Sequence, residues 1–278
     1  MNSVKPERDV WREFVGDVAW PTLLLGSGIV AGELGLWGAA LTGHLPLWVG
    51  FFVATALGYS AFTVMHEAVH GNIHGDKAAM RPISEALGWL AGITLFAPLP
   101  LFRVLHLRHH SFTNHGEKDP DHWVKGGNAL SIALRCASIF PHYFFDFFVG
   151  ASSNSDAARA SRITSLIGFF SMVTMAVALS VLGFGVEVLT LWVLPALSAS
   201  ALLAFAFDWL PHAPHTERRR YLDTRVMEGS GLALLLFFQN YHLIHHLYPR
   251  VPFYRYRALF QKVRPELERE GSRIEQAF

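Results

Sequence analysis

Two long stretches of this chain contain no lysine or arginine, one between Arg12 and Lys77 and one between Arg162 and Arg218. They also hold its most apolar sequence. A helix gains about 1.5 Å per residue, and about 20 apolar residues cross the hydrocarbon core of a bilayer. Residues 18–41 and 45–65 each meet that length, joined by Thr42-Gly-His-Leu-Pro. Residues 163–182 and 186–209 form a second pair, joined around Gly183-Phe-Gly-Val. The expected fold is an all-α membrane protein. It has four transmembrane helices arranged as two hairpins, with a helical cap on one side, and forms one domain over residues 1–278. Composition agrees: 51% of the 278 residues are hydrophobic and 16% charged, against about 25% charged in an average soluble domain.

The basic residues fix an expected orientation. Lys5, Arg8 and Arg12 precede the first hairpin, Lys77, Arg81, Arg103 and Arg108 lie between the two, and Arg218 to Arg273 follow the second. The hairpin tips carry none. By the positive-inside rule the basic segments and both termini are cytoplasmic. Residues 1–17 are polar and do not read as a signal peptide. Residues 83–101 read as an interfacial or re-entrant helix, and the aromatic-rich 129–149 as interfacial. Residues 151–162 read as a loop, 229–240 as a short apolar approach, and the tail from Pro265 as a solvated helix. A net charge of +1 gives no reason to expect a nucleic-acid partner, and a single cysteine, Cys136, excludes a disulfide framework and a cysteine-held iron–sulfur cluster.

Eight of the 15 histidines fall into three clusters: His66-Glu-Ala-Val-His70, His106-Leu-Arg-His109-His110 and His242-Leu-Ile-His245-His246. All three lie in the segments expected on the cytoplasmic side. Positions i, i+3 and i+4 share a helix face, so each cluster directs two or three ring nitrogens towards one point. His74 prolongs the stripe of His66 and His70. Converging neutral imidazoles suit iron, copper or zinc. Eight or more exceed the four ligands of one zinc ion, so two ions are expected, and a binuclear nitrogen-ligated site with open positions suits oxygen activation by iron. His66-Glu-Ala-Val-His70 is one residue too long for the zinc-protease pattern H-E-x-x-H.

In order, these boxes read H-x-x-x-H, H-x-x-H-H and H-x-x-H-H, placed around two hairpins. The chain thereby resembles the membrane fatty acid desaturase and hydroxylase superfamily, the histidine-box di-iron enzymes, over roughly residues 60–260. Asn240-Tyr-His-Leu-Ile-His-His-Leu-Tyr-Pro, Pro252-Phe-Tyr-Arg-Tyr and Phe207-Asp-Trp-Leu-Pro-His are similar to the desaturase-like carotenoid β-ring hydroxylases. The resemblance implies two iron ions, with O2 as co-substrate. It implies ligands at His66, His70, His106, His109, His110, His242, His245 and His246, and one more after the fourth span, for which His212 is the match and His215 the runner-up. His74 departs from the minimal pattern and is a possible ligand or supporting residue. Asp119, Asp121 and Asp208 are candidates to accept the outer N–H of ligand rings. His115 and His122 read as solvent-facing or supporting, His44 as a hairpin-tip residue, and His142 as aromatic packing.

The implied reaction is O2-dependent desaturation or hydroxylation of an unactivated C–H bond in a lipid, expected first as a fatty-acyl chain. The alternative within the superfamily is a carotenoid β-ring. The alternative outside it is a non-enzymatic membrane metal-binding protein or transporter, for which Glu33, the acid in the middle of a span, is the motivating residue. The sequence has no flavin or dinucleotide fingerprint, so a separate electron donor, a ferredoxin or cytochrome, is expected. Arg250, Arg255, Arg257, Lys262 and Arg264 form either its docking site or a rim against anionic lipid.

Overall fold

The computed structural model describes residues 7–149 and 155–276. Lys5 and residues 151–154 of the expected loop lie outside them. A short 3-10 helix, Glu7–Phe14, leads into α1 (Trp20–Leu41), which turns at residues 42–46 into α2 (Leu47–His70). Neither helix has an acid in its first turn, and neither carries a lysine or arginine. Their lengths come from uninterrupted apolar sequence. Helix α2 ends because Gly71 takes the left-handed conformation (φ 72°) that Cβ-bearing residues avoid. His74 therefore leaves the helix, and the expected continuous stripe of His66, His70 and His74 is corrected to the first two.

Helix α3 (Arg81–Thr94) and α4 (Leu99–Phe112) meet at 96° across the Pro98 break. The single helix expected over 83–101 is thus two, because a proline cannot continue the hydrogen-bond ladder. Residues 129–149 likewise divide into α5 (Ala129–Ala137) and α6 (Ile139–Val149), bent by 61°. The second long apolar stretch is a helical run from Asp156 to His212. It contains α7 (Asp156–Leu179), α8 (Gly185–Val188), α9 (Leu194–Leu203) and α10 (Leu210–His212). At Gly183 the backbone is non-helical (φ 101°). Met172 and Ala176 of α7 pack on Trp192 beyond it, so the chain folds back there. Wide π-type turns at Leu189–Val193 and Ala204–Trp209 join α8 to α9 and α9 to α10.

Among the described residues, three helical segments are long and apolar enough to cross a membrane, or up to five if each bent pair counts as one. Their outward faces carry Leu24, Leu34, Trp48, Phe52, Ile167 and Val181, all largely exposed. That surface needs a lipid solvent. Helix α2 lies at the centre. Its Gly58 places a Cβ position 3.2 Å from the Ala199 Cβ of α9, and Gly88 of α3 lies against Ala68. Small residues let backbones approach closely where both neighbours are in lipid. Ala61, Val64, Met65, Phe102, Leu203 and Phe207 fill the core around this contact.

The remaining chain forms a cap. It holds α11 (Leu232–Leu235), α12 (His242–Leu247) and α13 (Tyr256–Arg269), packed through Leu243, Ile244, Tyr256, Leu259 and Phe260. The fold departs from all-α here: β1 (Arg225–Glu228) pairs in parallel with β2 (Arg273–Gln276), with Val226 opposite Ile274. The tail is therefore a helix ending at Arg269 followed by a strand, not one solvated helix. Arg225 and Arg273 both donate to the Ala213 carbonyl, which ties the end of α10 to this strand pair.

Candidate metal centre

The three boxes come from the end of α2, the second half of α4 and α12, and the structure brings them together. The Nε2 atoms of His66 and His245 are 3.0 Å apart, those of His70 and His106 2.8 Å, His106 and His110 3.1 Å, and His110 and His245 2.8 Å. These five rings form one group. A second group gathers His109, His212, His242 and His246. There, His109 and His246 approach to 3.2 Å, as do His242 and His246. All eight box histidines and His212 thus divide five and four. Each H-x-x-H-H box serves both groups: of the adjacent pairs, His110 and His245 face the first, and His109 and His246 the second.

The outer nitrogens decide whether a cation fits. A neutral imidazole carries one N–H. His109 Nδ1 lies 2.8 Å from Asp119 Oδ1 and 3.1 Å from Asp121 Oδ2. His212 Nδ1 faces the Asp223 carbonyl at 3.1 Å, and His242 Nδ1 faces Gln239 Oε1 at 3.3 Å. All three partners are acceptors, so Nδ1 donates and, in a neutral ring, Nε2 presents a lone pair inward. His212 Nε2 is buried and has no hydrogen-bond partner in the protein. The lone pairs of His212 and His242 therefore converge with no proton of their own between them. At His109 burial is outweighed by Asp121 and Asp119, which push its pKa up to about 10, so its inward proton is one that a bound cation would displace. In the first group, His245 Nδ1 lies 2.9 Å from the Tyr256 hydroxyl. Burial first, then neighbouring rings such as His66, His109 and His110, hold His242, His245 and His246 well below the ordinary histidine pKa. They are neutral at pH 7, the form that binds metal.

The supporting candidates fall out differently. Asp119 and Asp121 hold His109; Asp119 also accepts from the backbone N–H groups of Asn114 (2.6 Å) and Asp121 (3.0 Å), so its position is fixed by the turn. Asp208 reaches no ligand ring directly; its contact is the Tyr143 hydroxyl at 3.3 Å, which itself donates to Asp121 at 2.6 Å. His215 lies outside both groups, next to His122. His74 also lies outside, with Nδ1 bonded to the Gly75 carbonyl at 2.7 Å. His142 stacks on Trp123 at 4.4 Å, and His44 bonds Thr42 at the hairpin tip.

Sequence reasoning missed the outer partners Gln239, Tyr256, the Asp223 carbonyl and Thr113, whose hydroxyl lies 3.4 Å from His246 Nδ1. It also missed three asparagines that bind the boxes into one body. Asn72 donates to Glu67, to the Pro249 carbonyl and to the Val251 carbonyl; Asn114 donates to the carbonyls of Glu217 and Asp223; Asn240 donates to that of Met227. The available signal was their position: each lies within five residues of a box histidine.

An apolar cavity ends on this centre. Its walls include Phe62, Leu101, Phe102, Phe140 and Leu203, and His66, His106, His109 and His242 close its end. Tyr143, Asp121 and Asp208 supply its polar edge.

The model of the family described as fatty acid desaturase matches residues 42–278. The chain is 26% identical to a β-carotene ketolase of Paracoccus sp. (strain N81106 / MBIC 01143), over 86% of this chain and 92% of that one. It is 27% identical to the dihydrorhizobitoxine desaturase of Bradyrhizobium elkanii, over 69% of this chain and 60% of the relative. It is 22% identical to the chloroplastic sn-2 acyl-lipid omega-3 desaturase (ferredoxin) of Helianthus annuus, over 94% and 63%. The chain thus spans nearly the whole ketolase but less than two thirds of the other two. A match over most of its length, with apolar helices and histidine clusters, makes this chain a member of the fatty acid desaturase family and an integral membrane oxidoreductase.

Proposed function

We propose that the protein catalyses O2-dependent oxidation of an unactivated C–H bond in a lipid at a histidine-ligated di-iron centre. The carrying observation is the junction of the apolar cavity with both histidine groups through His66, His106, His109 and His242. His66, His70, His106, His110 and His245 would hold one iron, and His109, His212, His242 and His246 the other. Nine neutral nitrogen donors, with no thiolate, suit a redox metal better than zinc, which takes about four ligands. When bound, two irons supply the one-electron chemistry that activates O2, which no protein side chain can perform.

The chain's own residues position and exclude. Phe62, Leu101 and Phe102 line the route with carbon, so a hydrocarbon segment displaces water up to the ligand rings. The acceptors on the outer nitrogens fix each ring's tautomer and tilt. Histidine serves here as ligand and not as general base. A fatty-acyl chain is the preferred substrate, because the cavity is walled by aliphatic and aromatic side chains. A second reading, a carotenoid ring, is favoured by the near full-length match to a β-carotene ketolase. We read the chain as crossing four times in two hairpins, with the boxes and both termini on the cytoplasmic side, and as taking electrons from a separate ferredoxin or cytochrome. The long apolar helices and the basic residues that flank them favour the crossings and the orientation.

The test is expression in a lipid-only host and in a carotenoid-producing host, with product analysis by mass spectrometry under 18O2. A desaturated or hydroxylated acyl product in the first host establishes the preferred reading. A product only in the second establishes the carotenoid reading, and no O2-dependent product in either refutes both.

A further inference from the structure

The centre has a second approach. Apart from the apolar cavity, an open basin reaches the histidines through His110 and His246. The two openings share no ligand: the cavity ends on His66, His106, His109 and His242, the basin on His110 and His246. These two rings are mostly buried, with an edge reaching the basin, and stack at 4.5 Å with planes 28° apart. One belongs to each group of the centre. The basin floor is thus a place where a molecule arriving from water meets a ligand of each metal position at once.

Its rim is cationic. Arg218 and Arg220 are exposed, line the basin and make no ion pair among the described residues, and Lys118 sits 5.1 Å from the ring of Phe112, also in the wall. Asp223 is the acid present, half-buried beneath them. The basic residues expected from sequence to dock a donor are instead neutralised. Arg250 pairs with Asp76, Arg255 with Asp17, Lys262 with Glu13, and Arg264 with Glu228 and Glu268. Of that set only Arg257 has no ion pair described.

We propose that the basin is the docking surface for an acidic one-electron carrier protein, which passes electrons through the stacked His110–His246 pair. The inference rests on the proposed di-iron reading. The stoichiometry requires two electrons from outside: one C–H bond, O2, two electrons and two protons give a hydroxylated carbon and one water, whereas for desaturation two adjacent C–H bonds with the same O2, electrons and protons give a C=C bond and two waters. Two successive docked carriers are each oxidised by one electron, and solvent provides the protons. A cationic rim over a concave floor raises the encounter rate of an acidic partner and loses that advantage with salt.

The experiment uses the iron-loaded protein in phosphatidylcholine nanodiscs, with an acidic 2Fe–2S ferredoxin as probe. Binding of oxidised ferredoxin is measured by calorimetry, and oxidation of reduced ferredoxin by stopped flow. In the Arg218→Glu/Arg220→Glu variant, the binding constant and second-order rate are expected to fall at least about tenfold at low ionic strength, with the salt dependence flattened. Reduction by dithionite and bound iron stay at wild-type values, and Arg257→Glu behaves as wild type. Undiminished ferredoxin binding in the double variant overturns the proposal. So does an equal loss with dithionite, which would mean a damaged centre. A defect that appears only when phosphatidylglycerol is added also overturns it, assigning the rim to lipid headgroups. Absence of iron-dependent dithionite turnover in the wild type refutes the di-iron reading itself and is recognised separately.

Discussion

Tyr256→Phe isolates one hydrogen bond inside the centre. The Tyr256 hydroxyl lies 2.9 Å from His245 Nδ1, and both residues are fully buried. In the metal-free protein, His245 can carry its proton on either nitrogen. Once Nε2 is a ligand, the proton must sit on Nδ1 and needs an acceptor. Removing the hydroxyl without changing the ring leaves that donor unpaired only in the metal-bound state, at about 1–3 kcal/mol. At 1.36 kcal/mol per tenfold, this predicts iron affinity weakened about 5- to 150-fold, matching the range of about 10–100-fold for outer partners of metal ligands. The assay is competition for ferrous iron against a chelator of known affinity, with iron counted by mass spectrometry and melting of the metal-free protein followed in parallel. Affinity within twofold of wild type would refute the claim that His245 binds through Nε2 with Tyr256 as its acceptor. An equal loss of metal-free stability would show that the hydroxyl acts in packing instead.

Other outcomes follow from the same geometry. His109→Ala and His245→Ala should each abolish turnover and lower bound iron while the helical circular dichroism is kept. His212→Ala should also lose iron, whereas His74→Ala should retain wild-type iron and turnover, because His74 faces Gly75 outside both groups. Gly58→Leu should separate α2 from α9, because even a Cβ there would lie 3.2 Å from the Ala199 Cβ, and cost about 1–3 kcal/mol, read as a lower melting temperature in detergent. Stripping the metal with a chelator should lower the melting temperature reversibly. Ligand at about 100 times its dissociation constant contributes about 2.7 kcal/mol, which is about 5–10 °C for a protein of this size; an unchanged transition after complete stripping would count against the gathered rings as a metal site.

What the sequence made legible was what repeats along the helix or along the membrane normal. Apolar length and absent cations located α1, α2 and the long run through α10, and the i, i+4 spacing placed His106 and His110 in one group, while His109, expected to join them, serves the other. What stayed hidden depends on contacts between distant segments. Tyr256, the partner of His245 Nδ1, is eleven residues away across the 3-10 turn at Phe253–Arg255, and Asn72 reaches carbonyls near residue 250. No local period encodes those meetings. The breaks at Pro98 and Ser138 were readable only in part, since proline announces its break and Ser138 does not. The basic set from Arg250 to Arg264 shows the limit most clearly. Counting charge in one dimension gathers five cations, but folding brings Asp17, Asp76, Glu13 and Glu228 against four of them. Meanwhile Arg218 and Arg220, unremarkable in the chain, stand over His110 and His246. The adjacent-histidine boxes explain why such a second face exists. Neighbouring residues on a helix diverge by about 100°, so a box that serves both metal positions must aim one ring of each pair towards the lipid-side cavity or the core and leave the other nearer water.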